Sequence, residues 1–431
     1  MKKNLKLNGL IKEFIKHPLF TGSFVMIIGS NGVNFLNYIY FLVMVKLLSP
    51  PNYGELASIL SLSGLVGMIP SSLGLVIIKF VSSSKSFDEI SGIISWFNLR
   101  LFLGSFFIFF IIALFSPSIS TFLNIDNVML IILVGATFIF SLPSLLYKSV
   151  LQGVLRFKQT VITLFLENGT KLVFGALLVY IGFSVLGAIL GFVIASFIGW
   201  MLSRFFIRDF IKKVNKKVNI VPMFWFTIPV IIQTVSTTFL FTSDLILVKH
   251  FFSAHDAGLY AVISTLGKII LFGTGPIGAV MFPLVSQRKA RGENFQKIFI
   301  LSLLLTTAAA AFVLLIYYFF PNLVIKILNA AYLEASPYLF WYGIFITLFT
   351  ISLLFVSLYL SLGKTQVVIF PLFASILQIL GIWFFHTSIM MVIVVSIVVT
   401  ALLLLSLFIY SLLYGVIRYG DKVNISHSSG L

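Results

Sequence analysis

The 431-residue sequence contains no cysteine, few charged residues and very few acidic ones. Charged side chains make up 10% of the chain, and 12 acidic residues stand against 29 basic ones. The absence of cysteine excludes disulfide bonds, a catalytic thiolate and cysteine metal ligands. The five histidines are scattered along the chain and offer no helical pair of metal ligands. We therefore expect no metal site.

Apolar residues, in contrast, are abundant and account for 60% of the sequence. So few polar groups could not cover the surface of a soluble protein of this length. The composition therefore predicts a membrane protein that crosses the bilayer many times. A net charge of +17 would suggest a nucleic acid partner in a soluble protein. Here the positions of the basic residues along the chain explain that charge better, and no nucleic acid partner is expected.

Apolar stretches long enough to cross a bilayer occur about twelve times. A crossing helix needs ~20 mostly apolar residues. The expected spans are 20–47, 55–80, 93–116, 128–147, 160–181, 184–207, 223–252, 257–285, 297–320, 338–361, 366–386 and 388–417. The predicted fold is therefore an all-α polytopic membrane protein with about 12 transmembrane helices.

The connections between these spans alternate between strongly basic and almost free of basic residues. Lysine and arginine cluster before the first span and after every even-numbered span, including the last. The opposite connections hold little beyond Lys46, Lys249 and Lys326. Because basic connections remain on the cytoplasmic side, the sequence predicts an even number of spans and places both termini in the cytoplasm.

The middle of the chain repeats an earlier segment. Val45 to Ser82 reappears, with one inserted residue, as Val248 to Ser286. The aligned identities include Ser49 with Ser253, Gly54 with Gly258, Ala57 with Ala261 and Gly74 with Gly278. Paired halves in an apolar chain are typical of transporters that hold their substrate between the halves. We expect two six-helix bundles related by an internal repeat.

Charge and hydropathy together predict the limits of these regions. They are an amphipathic cytoplasmic segment at 1–18, an N-terminal bundle at 19–207, a basic cytoplasmic linker at 208–221, a C-terminal bundle at 222–418 and a cytoplasmic tail at 419–431. The first segment alternates apolar and lysine side chains at near-helical spacing, which suits a helix on an anionic membrane surface. Membrane lipids are therefore expected partners. The linker is either a topological signal alone or also a sensor of anionic lipid.

Three glycine patterns have structural explanations. Gly273–Gly278 reads GTGPIG, but it lies inside an apolar span and not after a strand, so it predicts a helix break at Gly275–Pro276 and no dinucleotide site. Gly363 marks a tight hairpin between two spans. A small residue at every fourth position predicts close helix packing in the sixth span, at Gly187, Gly191, Ala195 and Gly199. No catalytic triad is visible, and we expect no cofactor.

Charged side chains within the spans are the candidate functional residues. Each costs ~2.5–3.5 kcal/mol at the centre of a span, so it needs a partner or a watery cavity. Lys268 has no acidic residue within one helical turn and is the strongest candidate for an anionic ligand. Lys171 follows Glu167 by one turn. These two residues either neutralise each other or serve transport.

Further polar residues lie within the spans. Asp244 follows Gln233 and Thr237 at spacings that keep all three on one face of the seventh span. Asn34 is the middle of three asparagines spaced every three residues on the first span, which either bind a ligand or bond to other helices. Arg100 lies near the cytoplasmic end of the third span and either faces a cavity or extends to the interface.

Four stretches of the sequence carry a family resemblance. They are VKLLSPPNYGELASI at 45–59, LQGVLRFKQ at 151–159, SDLILVKHFFSAHDAGLYAVIS at 243–264 and AAYLEASPYL at 330–339. They resemble the Wzx-type polysaccharide and O-antigen flippases of the multidrug/oligosaccharidyl-lipid/polysaccharide exporter superfamily. The resemblance extends over nearly the whole chain, with motifs that identify the superfamily more firmly than the substrate.

This resemblance implies a central cavity that moves an undecaprenyl-pyrophosphate-linked oligosaccharide to the outer leaflet of the cytoplasmic (inner) membrane by alternating access. It implies transport and no enzymatic activity, with a polysaccharide polymerase and a chain-length regulator as candidate partners. The expected substrate-binding residues are Lys268, Lys171, Arg100, Asn34 and Gln233. The expected coupling-ion residues are Asp244 and Glu167.

Three other kinds of protein are alternatives to a polysaccharide flippase. A cation-coupled multidrug antiporter shares the architecture but needs buried acids, and the first half offers only Glu167 at depth. Lipid II flippases typically have two further spans. A polymerase or ligase would be expected to carry a large external loop. We therefore expect a flippase, with the antiporter as the alternative; the sugar and the energy source stay open.

Overall fold

The computed structural model describes residues 18–84, 86–211 and 221–413, and the regular structure in these ranges is helical. The α-helices are α1 (Pro18–Leu47), α2 (Pro50–Ser83), α3 (Phe87–Phe122), α4 (Val128–Gly153), α5 (Phe157–Leu178), α6 (Ser184–Ile207), α7 (Val221–Phe251), α8 (Ala254–Ala290), α9 (Gln296–Phe319), α10 (Pro321–Leu328), α11 (Ser336–Ser361), α12 (Ile369–Phe384) and α13 (Ile389–Leu413). A π-helical turn, Val179–Phe183, follows α5, and short 3-10 helices lie at Arg208–Phe210, Ala330–Ala335 and Thr365–Val368.

Ten segments of the described chain are long and apolar enough to cross a membrane. One of them, Phe157–Phe210, has 54 residues and contains both α5 and α6. The 30-residue helix α1 is a further apolar element. The predicted class, an all-α polytopic membrane protein with about twelve transmembrane helices, is therefore confirmed. Most of segment 1–18, most of the linker 208–221 and the tail 419–431 lie outside the described residues.

Local sequence signals explain where several helices begin and end. Ser86 caps α3 by accepting a hydrogen bond from the Glu89 amide at 3.3 Å, and Ser253, a residue of the internal repeat, caps α8 by accepting one from the Asp256 amide at 3.1 Å. Gly363 has φ of +73° after α11, where a glycine avoids the cost of a side chain. The predicted hairpin at Gly363 is confirmed.

The chain divides into two compact units. The first comprises residues up to Leu48 together with Val66–Ile228, and the second comprises Ser49–Leu65 together with residues from Pro229 onward. Helix α2 is thus shared, because its first half belongs to the second unit and its second half to the first. The bundle limits expected at 19–207 and 222–418 stay a prediction.

In the first unit, α5 and α6 pack with their backbones nearly in contact. A Cβ added to Gly191 would lie 2.7 Å from the backbone of Gly175, and one added to Gly187 would lie 2.8 Å from the backbone of Leu178. Only glycine permits such an approach. The predicted role of the small-residue repeat in α6 is therefore confirmed.

In the second unit, the repeat-related glycines of α2 and α8 face each other. A Cβ added to Gly54 would lie 2.6 Å from the Gly258 amide nitrogen, and one added to Gly258 would collide with the Pro50 carbonyl. About two turns further along α8, the Thr265 hydroxyl lies 2.5 Å from the Tyr53 hydroxyl. The internal repeat therefore places two glycines at one close helix crossing.

Helix α8 is continuous from Ala254 to Ala290, although it contains Pro276 and Pro283. The predicted break at Gly275–Pro276 is therefore wrong. A proline removes one backbone hydrogen bond and crowds one turn. A membrane helix tolerates this loss where neighbouring helices or hydroxyl groups satisfy the freed carbonyl.

Candidate functional site

A buried carboxylate, Asp244, lies in the second unit. Asp244 is on α7 and has no exposed surface. Its Oδ2 atom accepts hydrogen bonds from the Tyr260 hydroxyl at 2.8 Å and the Tyr342 hydroxyl at 3.1 Å. The Tyr342 hydroxyl also lies 3.0 Å from the Ser264 hydroxyl. Helices α7, α8 and α11 therefore meet at one polar cluster inside an apolar bundle.

Lys268 belongs to the same cluster. It follows Tyr260 and Ser264 at intervals of four residues, so the three side chains lie on one face of α8. Lys268 and Asp244 interact electrostatically, but no ion pair within 4.0 Å joins them in the part of the chain that the structure describes. The Lys268 ammonium instead lies 4.2 Å from the centre of the Phe241 ring, and the Asp244 Oδ1 atom has no hydrogen-bond partner among the described residues. Two residues predicted separately therefore form one site.

The tyrosines of this cluster were not predicted from the sequence. Tyr260 and Tyr342 come from α8 and α11, and both are fully buried. Tyr260, Ser264 and Lys268 are spaced four residues apart and form a polar stripe on an apolar helix. This pattern could have identified Tyr260 from the sequence. Tyr342 lies 98 residues from Asp244, and no local pattern connects the two.

Gln233 lies on the same helix as Asp244, but not beside it. Eleven residues separate them, which corresponds to about 16 Å along a helix. The Gln233 Oε1 atom is buried and has no hydrogen-bond partner among the described residues. Gln233 is thus a separate polar position on α7.

In the first unit, Lys171 is held by neutral groups. Its side chain on α5 is 6% exposed. The ammonium donates hydrogen bonds to the Asn37 side-chain oxygen on α1 and to the Asn168 side-chain oxygen, the latter at 3.0 Å. It also lies 5.1 Å from the centre of the Tyr40 ring and 4.9 Å from that of Phe192. Two amides and two aromatic rings therefore enclose this charge.

Glu167 forms its ion pair with Lys148 and not with Lys171. The Lys148 ammonium on α4 donates to the Glu167 Oε2 atom at 2.7 Å, and both side chains are mostly buried. The interpretation in which Glu167 and Lys171 neutralise each other as a pair is therefore wrong. The reason is orientation, because Lys171 extends toward α1 and Glu167 toward α4. Glu167 still acts on Lys171 electrostatically.

Arg100 and Asn34 are exposed in the structure. The Arg100 guanidinium stacks 4.1 Å from the centre of the Trp96 ring and donates to the Trp96 carbonyl at 2.9 Å. Neither residue forms a hydrogen bond with Lys171. No group of three or more acidic, histidine or cysteine side chains that could hold a metal occurs in the described ranges.

The apolar helices define a multi-pass membrane protein, and comparison with known proteins agrees. The model of the polysaccharide biosynthesis protein family matches residues 19–289. The chain therefore belongs to the polysaccharide biosynthesis protein family. No curated protein matches the sequence.

Solved structures share the fold at low sequence identity. An inward-facing multidrug resistance MATE family transporter of the MOP superfamily has a TM-score of 0.75 and 11% identity, covering 87% of this chain and 94% of that chain. Lipid II flippase MurJ in an inward closed conformation has a TM-score of 0.70 and 15% identity, covering 90% and 87%. The eukaryotic MATE transporter AtDTX14 has a TM-score of 0.60 and 14% identity, covering 91% and 96%. The chain therefore shares the fold of MATE transporters and of lipid II flippase MurJ.

Proposed function

We propose that this protein moves undecaprenyl-pyrophosphate-linked oligosaccharide repeat units across the cytoplasmic membrane for O-antigen, capsule or exopolysaccharide biosynthesis. Lys268 carries the proposal. It is a cation inside a membrane helix that donates no hydrogen bond to any described residue, and its electrostatic partner Asp244 is already bound by two tyrosines. Family membership supports the same function.

The proposed mechanism follows from the charge of a pyrophosphate. Moving such an anion through a low-dielectric layer is costly, and a nearby cation offsets the desolvation. The Lys268 ammonium binds the pyrophosphate, while the lipid tail stays in the bilayer. Alternating access then requires one repeat-related bundle to move against the other.

The remaining proposed substrate-binding residues contribute according to their surroundings. The Lys171 ammonium already donates to Asn37 and Asn168. It therefore acts on the substrate through its positive charge and not through a direct hydrogen bond. Gln233 offers a buried acceptor that has no hydrogen-bond partner in the described part of the chain. Arg100 and Asn34 are exposed and act at the periphery.

Asp244 is the stronger of the two proposed coupling residues. Its Oδ1 atom has no hydrogen-bond partner among the described residues and is available to a proton or a small cation. Glu167 is already paired with Lys148 at 2.7 Å. The membrane potential adds ~2.3 kcal/mol for each charge moved across 100 mV, so it is a further energy source.

The second candidate function is cation-coupled multidrug export. A buried acid, Asp244, favours it, because such transporters use buried acids to attract cations. Lys268 opposes it, since its positive charge acts directly on Asp244.

A gene deletion separates the two functions. We expect the deletion strain to lose surface polysaccharide and to retain undecaprenyl-linked oligosaccharide in the cytoplasmic leaflet. Expression of the gene should restore export without conferring resistance to cationic dyes. The Lys268→Ala variant at matched abundance is the negative control. Dye resistance without an export defect would contradict the flippase proposal and support the antiporter.

A further inference from the structure

A cavity of about 250 Å³ lies in the second unit, between α8, α9 and α11. On α8 its lining includes Gly275 and Gly278, which follow Lys268 by seven and ten residues. These spacings keep the lining on the face of α8 that carries Lys268. Seven residues of helix rise by about 10 Å. The cavity therefore begins within one or two turns of the proposed pyrophosphate-binding lysine.

Two hydroxyl groups in the lining have no partner. Thr306 on α9 is 1% exposed and Thr350 on α11 is 6% exposed, and neither Oγ1 atom forms a hydrogen bond within the described residues. A neighbouring threonine on α11 behaves differently. The Thr347 hydroxyl, one turn before Thr350, donates to the Gly343 carbonyl at 2.8 Å. Because unsatisfied buried hydroxyls are unfavourable, Thr306 and Thr350 indicate a missing polar partner.

Helix α8 contributes a backbone carbonyl acceptor and unfilled space to the cavity. Pro283 has no amide hydrogen, so the carbonyl of Ala279, a lining residue, lacks its usual helical donor four residues later. A Cβ added to Gly275 would have no atom within 4 Å, whereas one added to Gly278 would contact Leu354 at 3.7 Å. The cavity therefore extends to the backbone at Gly275.

We propose that this cavity binds a single sugar ring of the lipid-linked saccharide, beside the pyrophosphate held by Lys268. None of the described residues that line it is charged, so it suits a neutral ligand with several hydroxyl groups. Its volume corresponds to about eight water molecules, which is room for one ring and not for a whole repeat unit. The leucines of the lining suit the apolar face of that ring. This inference rests on the proposed function and assigns it a sugar subsite.

Binding measurements on the purified full chain in nanodiscs test the subsite. The two probes are undecaprenyl pyrophosphate and the lipid-linked saccharide extracted from the deletion strain. We expect the wild type to bind the saccharide about tenfold more tightly. The double variant Thr306→Val and Thr350→Val should lose that preference while its Kd for undecaprenyl pyrophosphate stays unchanged. Thr347→Val is the matched control and should keep the preference.

The outcomes distinguish the subsite from the function. If the wild type binds neither probe, the proposed function fails, and the subsite fails with it. If the wild type binds both probes and the double valine variant keeps the full preference, the subsite is wrong and the function stands. Equal binding of the two probes by the wild type would mean that water alone fills the cavity.

Filling the cavity provides a second test that does not depend on hydrogen bonds. Gly275→Leu should project into the open space and reduce export of polysaccharide at least about tenfold with normal protein abundance. Gly273→Leu is the control, since a Cβ at Gly273 also meets no atom within 4 Å but Gly273 does not line the cavity. Equal export by the two leucine variants would overturn the proposal.

Discussion

The two lysines proposed to bind substrate, Lys171 in the first unit and Lys268 in the second, are stabilised in different ways. Lys171 is 6% exposed and is enclosed by the side chains of Asn37, Asn168, Tyr40 and Phe192. Lys268 is partly exposed, lies over the ring of Phe241 and is balanced by a carboxylate that it does not directly contact.

We call Lys171 a fixed charge, because its ammonium donates hydrogen bonds within the protein, and Lys268 an available charge, because its ammonium donates to none of the described residues. Neutral amides and aromatic faces satisfy the Lys171 ammonium and leave its charge unchanged. The Lys268 ammonium keeps its donors for a ligand, while the Tyr260 and Tyr342 hydroxyls already satisfy one oxygen of Asp244. An anionic ligand would therefore find available donors on Lys268, whereas the Lys171 ammonium already donates to Asn37 and Asn168.

The largest expected effect comes from removing the available charge. Lys268→Ala should abolish surface-polysaccharide export, and Lys268→Arg should retain part of it because the charge survives. Removal of Lys268 also leaves Asp244 uncompensated, which would lower protein abundance. Export must therefore be measured together with abundance.

The double variant Lys268→Ala and Asp244→Asn distinguishes substrate binding from neutralisation. The second change removes the uncompensated acid, so abundance should recover while export stays absent. Recovery of export in the double variant would mean that Lys268 only neutralises Asp244.

A smaller effect is expected from cancelling the fixed charge in the first unit. Asn37→Asp keeps an oxygen acceptor beside the Lys171 ammonium and adds a negative charge. Export should fall about three- to fivefold, on the order of 1 kcal/mol for an electrostatic effect at a distance. Abundance should stay normal, because the new pair is at least as well bonded as the old one. Unchanged export would remove Lys171 from the mechanism.

Much of this fold could be predicted from the sequence, because the long helices are apolar enough to be recognised one by one, whereas the eight-residue α10 was not predicted. The expected span 184–207 matches α6 in full, and 338–361 differs from α11 only at its start. The predicted break at Gly275–Pro276 failed because a proline only suggests where a helix can bend, and the packing around it decides.

The candidate site was predictable only in part. Lys268 and Asp244 were visible because charges in apolar spans need partners. Their proximity, and the pairing of Glu167 with Lys148, depend on which helices are neighbours in space. The spacing of Glu167 and Lys171 suggested a pair within one helix, but α4 supplies a cation that lies closer to Glu167.

A modest effect is expected at the Glu167–Lys148 pair, in contrast to Asp244. If the pair is structural, Glu167→Gln together with Lys148→Met should export within about twofold of the wild type, because removing both partners avoids a buried unpaired charge. Asp244→Asn should alter the dependence of export on pH, sodium or membrane potential. The variant with both Glu167→Gln and Lys148→Met should keep the dependence of the wild type. These dependences can be measured in proteoliposomes. If this dependence changed in the Glu167→Gln and Lys148→Met variant but not in Asp244→Asn, the coupling residue would be Glu167 and not Asp244.

The smallest effect is expected at Arg100, the exposed cation of the first unit. Its guanidinium stacks on Trp96 and donates to the Trp96 carbonyl on its own helix, so it is already satisfied without a substrate. Arg100→Gln should therefore leave export within about twofold of the wild type, since an exposed charge interacts weakly through solvent. Lys268→Gln, tested in parallel at matched abundance, should abolish export. A loss in Arg100→Gln as large as that in Lys268→Gln would show that exposure does not separate the two cations. The distinction between fixed and available charge would then be wrong, because a cation whose hydrogen bonds are already formed within its own helix would matter as much as Lys268.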